Sequence, residues 1–274
     1  MSNLERTVKI WVDTLNNIFD IVFQSCNEWN PDVWAMIKNI NAGLTIVASS
    51  LIVLFFFIGM LKSGMTVQDF KRPETAFKPL LRLAVANAFT NASMSIMILV
   101  FQVIQGLMST VASYGSASFV LRVPSEVKEA IDDTSMFSWD GIRVGLVGLL
   151  LMLGIYVMAI IITVVVWGRF IKLYIFCGVS PLFIAGSAGE PTQGMAVNFI
   201  KGYANAVFQG VVVVLALLIY SALMSSDSSA AVAAVQAGDP FGGILLYAKD
   251  FFIAGCVILG ICKGADQLVS KMGL

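Results

Sequence analysis

The sequence predicts an all-α fold: a polytopic helical membrane protein with about five transmembrane helices, a re-entrant segment and an N-terminal amphipathic helix. Four uncharged runs of 23, 39, 25 and 25 residues lie at 39–61, 83–121, 144–168 and 202–226. Each exceeds the roughly 20 residues that cross about 30 Å of hydrocarbon as a helix. The chain is also 58% hydrophobic and only 12% charged, about half the charged share of a soluble domain. Because lipid offers backbone amides no partner, these runs must be helical.

The N-terminal region, 1–41, is predicted to be an external amphipathic helix region. Its apolar side chains recur at helical spacing, with charged residues between them; they are Leu4, Val8, Trp11, Leu15, Ile18, Phe19, Val22 and Phe23. Such a helix is suited to lie on a membrane or on a partner helix. The triplet Asn30-Pro31-Asp32 predicts the start of the next helix, because proline is favoured in the first helical turn.

The remaining chain, 42–274, is predicted to be the transmembrane domain, with spans at about 42–61, 83–110, 144–167, 203–224 and 246–263. The loop after the first span is rich in Lys and Arg, which favours the cytoplasm. The loop at about 112–141 contains the acidic run PSEVKEAIDD and is predicted to be external. Five crossings then place the N-terminus outside and the C-terminus in the cytoplasm.

The stretch KLYIFCGVSPLFIAGSAGEPT, residues 172–192, either crosses the membrane or enters it and turns back. Six crossings leave eight Lys and Arg residues inside and nine outside, whereas re-entry gives ten inside and seven outside. Proline and glycine also weaken a continuous helix. We therefore expect residues 173–189 to re-enter, with a bend at Ser180, Pro181, Leu182, Gly186 and Gly189. A thin or tilted crossing remains the alternative. The basic residues Arg169, Lys172 and Lys201 are expected to mark the membrane boundary.

The second predicted span carries an ordered polar stripe. At 100° per residue, six side chains fall within about 80° of one another on the helical wheel: Asn87, Asn91, Ser95, Gln102, Gln105 and Ser109. Polar side chains in hydrocarbon must face protein or water. The stripe therefore indicates either hydrogen bonds between helices, worth about 0.6 kcal/mol each, or the lining of a hydrated path.

The sequence disfavours catalysis and cofactor binding. It contains no histidine, and its four cysteines lack the CxxC spacing of metal and redox sites. It also has no nucleotide-binding motif, and no acid lies deep in a predicted span, where ion-coupled transport would need one. We therefore predict no catalytic residue, no metal and no cofactor. A stand-alone small-solute channel or transporter, a membrane scaffold and an immunity protein remain alternatives.

The run WGRFIKLYIFCGVSPLFIAGSAGEPTQGMAVNFIKGY, residues 167–203, resembles the central segment of the TrbL/VirB-type membrane proteins of type IV secretion and conjugation machines. In that family a basic boundary precedes an (Ala/Ser)-Pro-Leu core, a Gly/Pro-marked turn and a further long span. Ser180-Pro181-Leu182 and Glu190-Pro191 occupy those places here. The resemblance implies a non-enzymatic channel subunit of the inner membrane that forms a homo-oligomeric ring, expected to be a pentamer. It also implies secretion ATPases and other platform subunits as partners, and transient contact with a DNA–protein substrate.

Overall fold

The computed structural model is almost entirely helical in the residues that it describes, and no strand occurs among them. These residues are 3–62, 73–115, 139–226, 229–237 and 240–271, with Pro124, Ser125 and Glu129. The main helices are α1 (Asn3–Phe23), α2 (Cys26–Trp29), α3 (Pro31–Lys62), α4 (Pro73–Asn91), α5 (Ser93–Ala112), α6 (Trp139–Ile184), α7 (Gln193–Ser226), α8 (Ser229–Gln236) and α9 (Pro240–Lys271). A short 3₁₀ helix, Ala185–Ala188, follows α6.

Five segments are long and apolar enough to cross a membrane. They are Pro31–Lys62, Ser93–Ala112, Gly145–Ala188, Gln193–Ala222 and Phe241–Ala265. The predicted fold class, an all-α polytopic membrane protein with about five spans, is therefore confirmed. The sides on which the termini lie stay predictions.

Helix α3 begins well before the predicted span 42–61. Its first turn is capped by Asn30, whose Oδ1 accepts a hydrogen bond from the backbone N–H of Val33 at 3.0 Å. Pro31 then occupies the first helical position, where its missing N–H costs nothing. The helix consequently runs across residue 41, at which the sequence analysis ended the N-terminal region.

The second predicted span, 83–110, falls on two helices that meet at Ala92. The backbone N–H of Ala92 donates to the carbonyl of Ala88, and that of Ile96 donates to the carbonyl of Ala92, each at 3.0 Å. The i to i−4 pattern therefore passes through the junction between α4 and α5, and side chains on both helices keep a common helical phase.

The third predicted span, 144–167, and the segment 173–189 are not separate elements. The span and residues 173–184 fall on α6, a helix of 46 residues and so about 69 Å long. This length is more than twice the hydrocarbon thickness of about 30 Å. The expected break after Trp167 is absent, and the helix ends only at Ile184.

Most of the predicted external loop, 112–141, lies outside the described residues, and so does nearly all of PSEVKEAIDD. The described chain stops at Gly115 and resumes continuously at Trp139. Part of the predicted cytoplasmic loop, 63–72, lies outside the described residues as well.

The chain divides into two units. The first unit comprises Met1–Phe23, Met108–Gly168 and Gly210–Leu268. Here the apolar face of α1 is buried, with Trp11 and Leu15 fully so. The indole N–H of Trp11 donates a 2.8 Å hydrogen bond to the hydroxyl of Tyr220 in α7. The sequence analysis left open whether this amphipathic helix lies on a membrane or on a partner helix. The apolar face of α1 packs against helices of its own chain.

The second unit comprises Gln24–Leu107, Arg169–Gln209 and Val269–Leu274. It contains α2, α3, α4, most of α5, the C-terminal part of α6, the 3₁₀ helix and the first half of α7. A small-residue core lies where α3 and α4 meet the 3₁₀ helix. Its buried members are Ala48, Ile52, Ala86, Ala185 and Ala188.

The Trp11–Tyr220 hydrogen bond gives a test of how α1 is held. We expect Tyr220→Phe to lower the stability of the purified protein by about 1–3 kcal/mol, because it leaves a buried indole N–H without an acceptor. Thermal unfolding in detergent measures this, with Tyr156→Phe as the control, since Tyr156 is 42% exposed. Equal unfolding midpoints for the two variants would contradict the assignment.

Candidate functional site

The second unit contains a proline inside a long helix, and its environment explains why the helix continues. Pro181 has no N–H, so it cannot donate to the carbonyl of Cys177 four residues earlier. Asn41 of α3 supplies the missing donor: its Nδ2 lies 2.7 Å from the Cys177 carbonyl oxygen. The hydroxyl of Ser180 donates to the same oxygen at 3.0 Å. The backbone acceptor freed by proline is thus satisfied from a neighbouring helix.

The position of these residues differs from the predicted bend. Ser180, Pro181 and Leu182 lie within α6 and do not turn the chain, because the lost hydrogen bond is replaced. Asn41 is 6% exposed and Ser180 is fully buried, and Asn41 also donates to the Ser180 hydroxyl at 3.0 Å. The three polar groups form a closed network between α3 and α6, which is what a buried site requires.

The chain reverses after Pro181, between Ala185 and Gln193. The 3₁₀ helix is followed by Gly189 in an extended conformation, with φ −103° and ψ 143°. The hydroxyl of Thr192 donates to the carbonyl of Gly186 at 2.6 Å, and the Thr192 carbonyl accepts from the backbone N–H of Met195 at 2.9 Å. Gly186 and Gly189, two of the five predicted bend residues, therefore belong to this reversal. Whether it lies within the membrane stays a prediction.

The reversal is packed closely onto α3. A Cβ atom added to Gly189 would lie 2.5 Å from the carbonyl oxygen of Phe55, and one added to Gly59 would lie 3.2 Å from the Cα of Gly189. Glycine at both positions lets the two backbones approach, as small residues do between membrane helices. No side chain fits between the turn and the helix.

Arg82 of α4 contacts two residues at the end of the reversal. Its Nη2 donates to Oε1 of Gln193 at 2.6 Å, and its Nη1 lies 4.0 Å from a carboxylate oxygen of Glu190. The side chain of Glu190 is 77% exposed, so the ion pair adds little to stability. The hydrogen bond to Gln193 fixes the position of Arg82 at the start of α7.

The three predicted boundary cations differ in their surroundings. Lys172 and Lys201 are exposed. Arg169 is only 2% exposed, and its Nη2 donates to the backbone carbonyl of Val207 at 3.4 Å. A buried cation is retained only where the surrounding groups compensate its lost hydration. Arg169 is therefore a residue of the packed interior of the second unit.

Aromatic side chains attach α2 to α6. The ring of Trp29 stacks on that of Phe170 with 4.6 Å between the centroids. The hydroxyl of Tyr174 donates to the carbonyl of Cys26 at 2.7 Å.

The thiol of Cys177 lies 3.7 Å from the hydroxyl of Tyr203. Burial raises the pKa of the Cys26 thiol to about 12, so this cysteine is not a nucleophile at neutral pH.

A cavity of about 350 Å³ lies beside α2 in the same unit. Its walls come from α2, α3, α5 and α7, and they include Gln102 and Gln105 of the predicted stripe together with Lys38 and Glu28. The backbone N–H of Ser25 donates to the Glu28 carboxylate at 2.7 Å. This hydrogen bond lowers the pKa of Glu28, so the carboxylate stays ionised at neutral pH.

The polar stripe lies on the surface of the chain. Asn87, Asn91, Ser95, Gln102 and Ser109 are exposed, and Gln105 is half-buried; Ser109 belongs to the first unit. The hydrogen bonds of Asn91 run to the carbonyl oxygen of Asn87, at 2.9 Å, and to its Oδ1, at 3.2 Å. Both partners belong to α4 itself.

The buried face of α5 is mostly apolar, in contrast to the stripe, and its one buried polar side chain is that of Ser93. Met97 and Met108 are fully buried, and Phe101 and Ile104 are nearly so. The helix therefore packs against its own chain through apolar groups. Its carboxamides at Gln102 and Gln105 line the cavity or face outward.

Sequence analysis did not identify Asn41, Tyr174 or the Arg82–Gln193 pair as parts of this site. One signal was present: Asn41 lies in the uncharged run 39–61, where a carboxamide needs a polar partner. The partner itself could not be found, because the distance of 136 residues between Asn41 and Cys177 becomes a contact only in the fold. Among the described residues, no group of three or more Cys, Asp or Glu side chains could hold a metal ion.

The network around Pro181 gives a double-mutant prediction. We expect Asn41→Leu to destabilise the protein by about 1–3 kcal/mol, because the Cys177 carbonyl loses its principal donor. In a Pro181→Ala background, residue 181 regains its N–H and donates to that carbonyl, so Asn41→Leu should cost much less. Unfolding midpoints of the four proteins in detergent measure the coupling.

Asn39→Leu is the matched control, since Asn39 is exposed on the same helix. Strictly additive effects of the Asn41 and Pro181 substitutions would contradict the replacement of one hydrogen bond by the other.

The close approach at Gly189 gives a second prediction. We expect Gly189→Ala to destabilise the protein by about 1–3 kcal/mol, since the added methyl overlaps the Phe55 carbonyl and forces backbone shifts. Gly194→Ala, where an added Cβ meets nothing within 4 Å, should be neutral or stabilising by up to about 1 kcal/mol. Thermal unfolding compares the two variants, and equal losses would show that the turn is not seated on α3.

The fold and this geometry can be compared with known proteins. Residues 12–181 match the family described as TrbL/VirB6 plasmid conjugal transfer like protein. The matched range includes Asn41, the polar stripe and Pro181, and it stops before the reversal at Ala185. No curated protein matches the chain. Because the match covers more than half of the 274 residues, the chain belongs to the TrbL/VirB6-like family of plasmid conjugal transfer proteins.

Proposed function

We propose that this protein is a non-enzymatic channel subunit of a conjugative type IV secretion machine, and that the stripe from Asn87 to Gln105 faces the translocation path or the neighbouring subunit. The observation that carries the proposal is the orientation of α4 and α5. Their carboxamides lie on the surface of the chain, whereas the buried side chains of α5 are apolar apart from Ser93.

The physical argument concerns what can cover that surface. Family membership and the five apolar segments make the chain a multi-pass inner-membrane protein and a component of the transfer machinery. Moving a carboxamide into an apolar environment without a hydrogen-bond partner costs about 1–3 kcal/mol of free energy. An exposed carboxamide within the apolar segment Ser93–Ala112, such as that of Gln102, would therefore be costly against lipid. A neighbouring subunit or a water-filled path covers such a group at lower cost.

In a ring of identical subunits, this surface can face either a neighbouring subunit or a water-filled central path. We propose a homo-oligomer, as a pentamer, that works with secretion ATPases and the other platform subunits and transiently contacts the DNA–protein substrate. Energy then comes from the ATPases, since this chain has no nucleotide-binding motif. The mass of the protein extracted in mild detergent tests the assembly, and a strictly monomeric mass would contradict a ring.

The proposal includes the orientation of the chain in the membrane. The N-terminus is external and the C-terminus is cytoplasmic, as the Lys and Arg distribution favours for five crossings. Labelling of a cysteine at position 274 from outside intact cells, in a background without native thiols, would contradict this orientation.

The stripe predicts a specific defect in transfer. We expect Asn87→Leu/Asn91→Leu to insert in the membrane and unfold at or above the wild-type temperature, because both side chains are exposed. Conjugation frequency should fall at least tenfold, since the substitution removes polar groups that face the path or the partner. Donor-strain conjugation and membrane abundance are measured together.

The control is Leu107→Ala, which changes an apolar side chain on α5 that is 47% exposed and lies outside the stripe. It should transfer normally. Wild-type conjugation by the double Leu variant would contradict a role for the stripe.

A further inference from the structure

An apolar groove lies in the first unit, between the end of α5 and the last third of α7. We call it the α5–α7 groove, and its volume is about 640 Å³. None of its lining residues is charged and most are aliphatic; they are Val111, Tyr114, Gly115, Leu215, Leu218, Ile219, Ser221 and Ala222. The groove therefore offers an occupant apolar contact and no ion pair.

The walls of the groove are packed against the rest of the unit. A Cβ atom added to Gly115 would lie 2.5 Å from Cδ2 of Leu218, so the chain directly after α5 is in close contact with α7. Met108, one turn before Val111 on α5, is fully buried, and so is Leu217 of α7. The groove is thus a feature of the packed helices and not a gap between loose ends.

The groove lies at one end of two membrane segments. Its walls belong largely to the apolar segments Ser93–Ala112 and Gln193–Ala222, and both segments end beside it. Tyr114 follows the first of these ends and is 87% exposed; tyrosine is enriched at the headgroup level of a membrane. Leu215 and Ile219 line the groove and are about half exposed. The groove therefore opens toward hydrocarbon, with Tyr114 at the headgroup end.

The size and chemistry of the groove favour an acyl chain over water or a second subunit. An apolar cavity of about 150 Å³ stays dry and accommodates benzene, and the α5–α7 groove is about four times larger. Eight residues line it, whereas a stable protein interface uses about 20–30 residues from each partner. Water inside it would find few polar partners, because only Tyr114 and Ser221 bring side-chain hydroxyls to the lining.

We propose that the α5–α7 groove holds one acyl chain of a membrane phospholipid, with the glycerol end of the lipid at Tyr114. The chain packs against the aliphatic side chains of α7, such as Leu215 and Ile219, and against Val111 of α5. Because no charged residue lines the groove, binding is independent of the headgroup charge. The proposal goes beyond the transfer function and does not rest on it.

Native mass spectrometry of the full-length protein, extracted from its own membrane in mild detergent, tests this inference. We expect one phospholipid to stay bound after a detergent wash that removes loosely attached lipid. Ile219→Trp places a bulky ring in the groove and should reduce the lipid-bound fraction by a factor of about ten or more. Ile160→Trp makes the same substitution on α6, at a side chain that is 61% exposed and outside the groove, and it should leave this fraction unchanged.

Further measurements control for folding and identify the ligand. Leu215→Trp fills the groove from the preceding turn of α7 and should behave as Ile219→Trp does. Unfolding midpoints within about 2 °C of wild type show that the Trp variants are folded. Phosphatidylethanolamine and phosphatidylglycerol should be retained in the proportion in which the membrane supplies them. Phospholipid added to the delipidated wild-type protein should raise its unfolding midpoint, and detergent alone should not.

Four results would overturn the proposal. Equal loss of lipid in Ile219→Trp and Ile160→Trp would show that the retained lipid is held elsewhere. Strong preference for one headgroup charge would indicate an ionic site outside the groove. An equal rise of the midpoint with detergent would leave an adventitious additive only. Loss of a homo-oligomer in Ile219→Trp, with the lipid still bound, would assign the groove to a subunit interface.

Discussion

The second unit depends on one constraint: a backbone carbonyl in a membrane helix must have a hydrogen-bond donor, because lipid offers none. Pro181 removes the donor for the Cys177 carbonyl, and Asn41 replaces it from α3 at 2.7 Å. That bond lets α6 continue to Ile184 and holds its last turns against α3. The reversal that follows then meets α3 at Gly189 and Gly59, and Arg82 donates a hydrogen bond to Gln193 at its end. Removal of the Asn41 side chain would leave the Cys177 carbonyl with the Ser180 hydroxyl as its remaining donor.

The second important feature is that α5 has two different faces. Its apolar side chains, such as Met97 and Met108, pack inside the chain, and its carboxamides are left on the surface. A soluble helix would place these groups in water, but a membrane helix needs a partner or a hydrated path for them. The proposed channel function follows from this arrangement together with the family. Gln102 and Gln105 also line the cavity beside α2.

Much of the fold follows from the sequence in simple physical terms. Uncharged runs longer than about 20 residues predict membrane helices, and Asn30-Pro31 predicts the start of α3. The continuity of α6 could not be predicted, because Pro181 and nearby glycines argue for a break unless their partners are known. The burial of Arg169 was not predicted either, because a cation shortly after an aromatic residue is typical of a membrane boundary. Partners such as Asn41 and Cys177 are brought together only by the tertiary fold, whereas the stripe was visible because helical periodicity is local.

The most direct test of the account is to ask what the stripe touches while transfer is in progress. A photo-crosslinking amino acid is placed at position 91, or at position 107 as the apolar control, and donor cells are irradiated during mating. We expect position 91 to crosslink to transferred DNA, its attached protein or a neighbouring copy of the chain, and position 107 to crosslink to none of these. Crosslinking of position 91 to lipid alone, in cells that transfer normally, would contradict the proposed path and subunit interface.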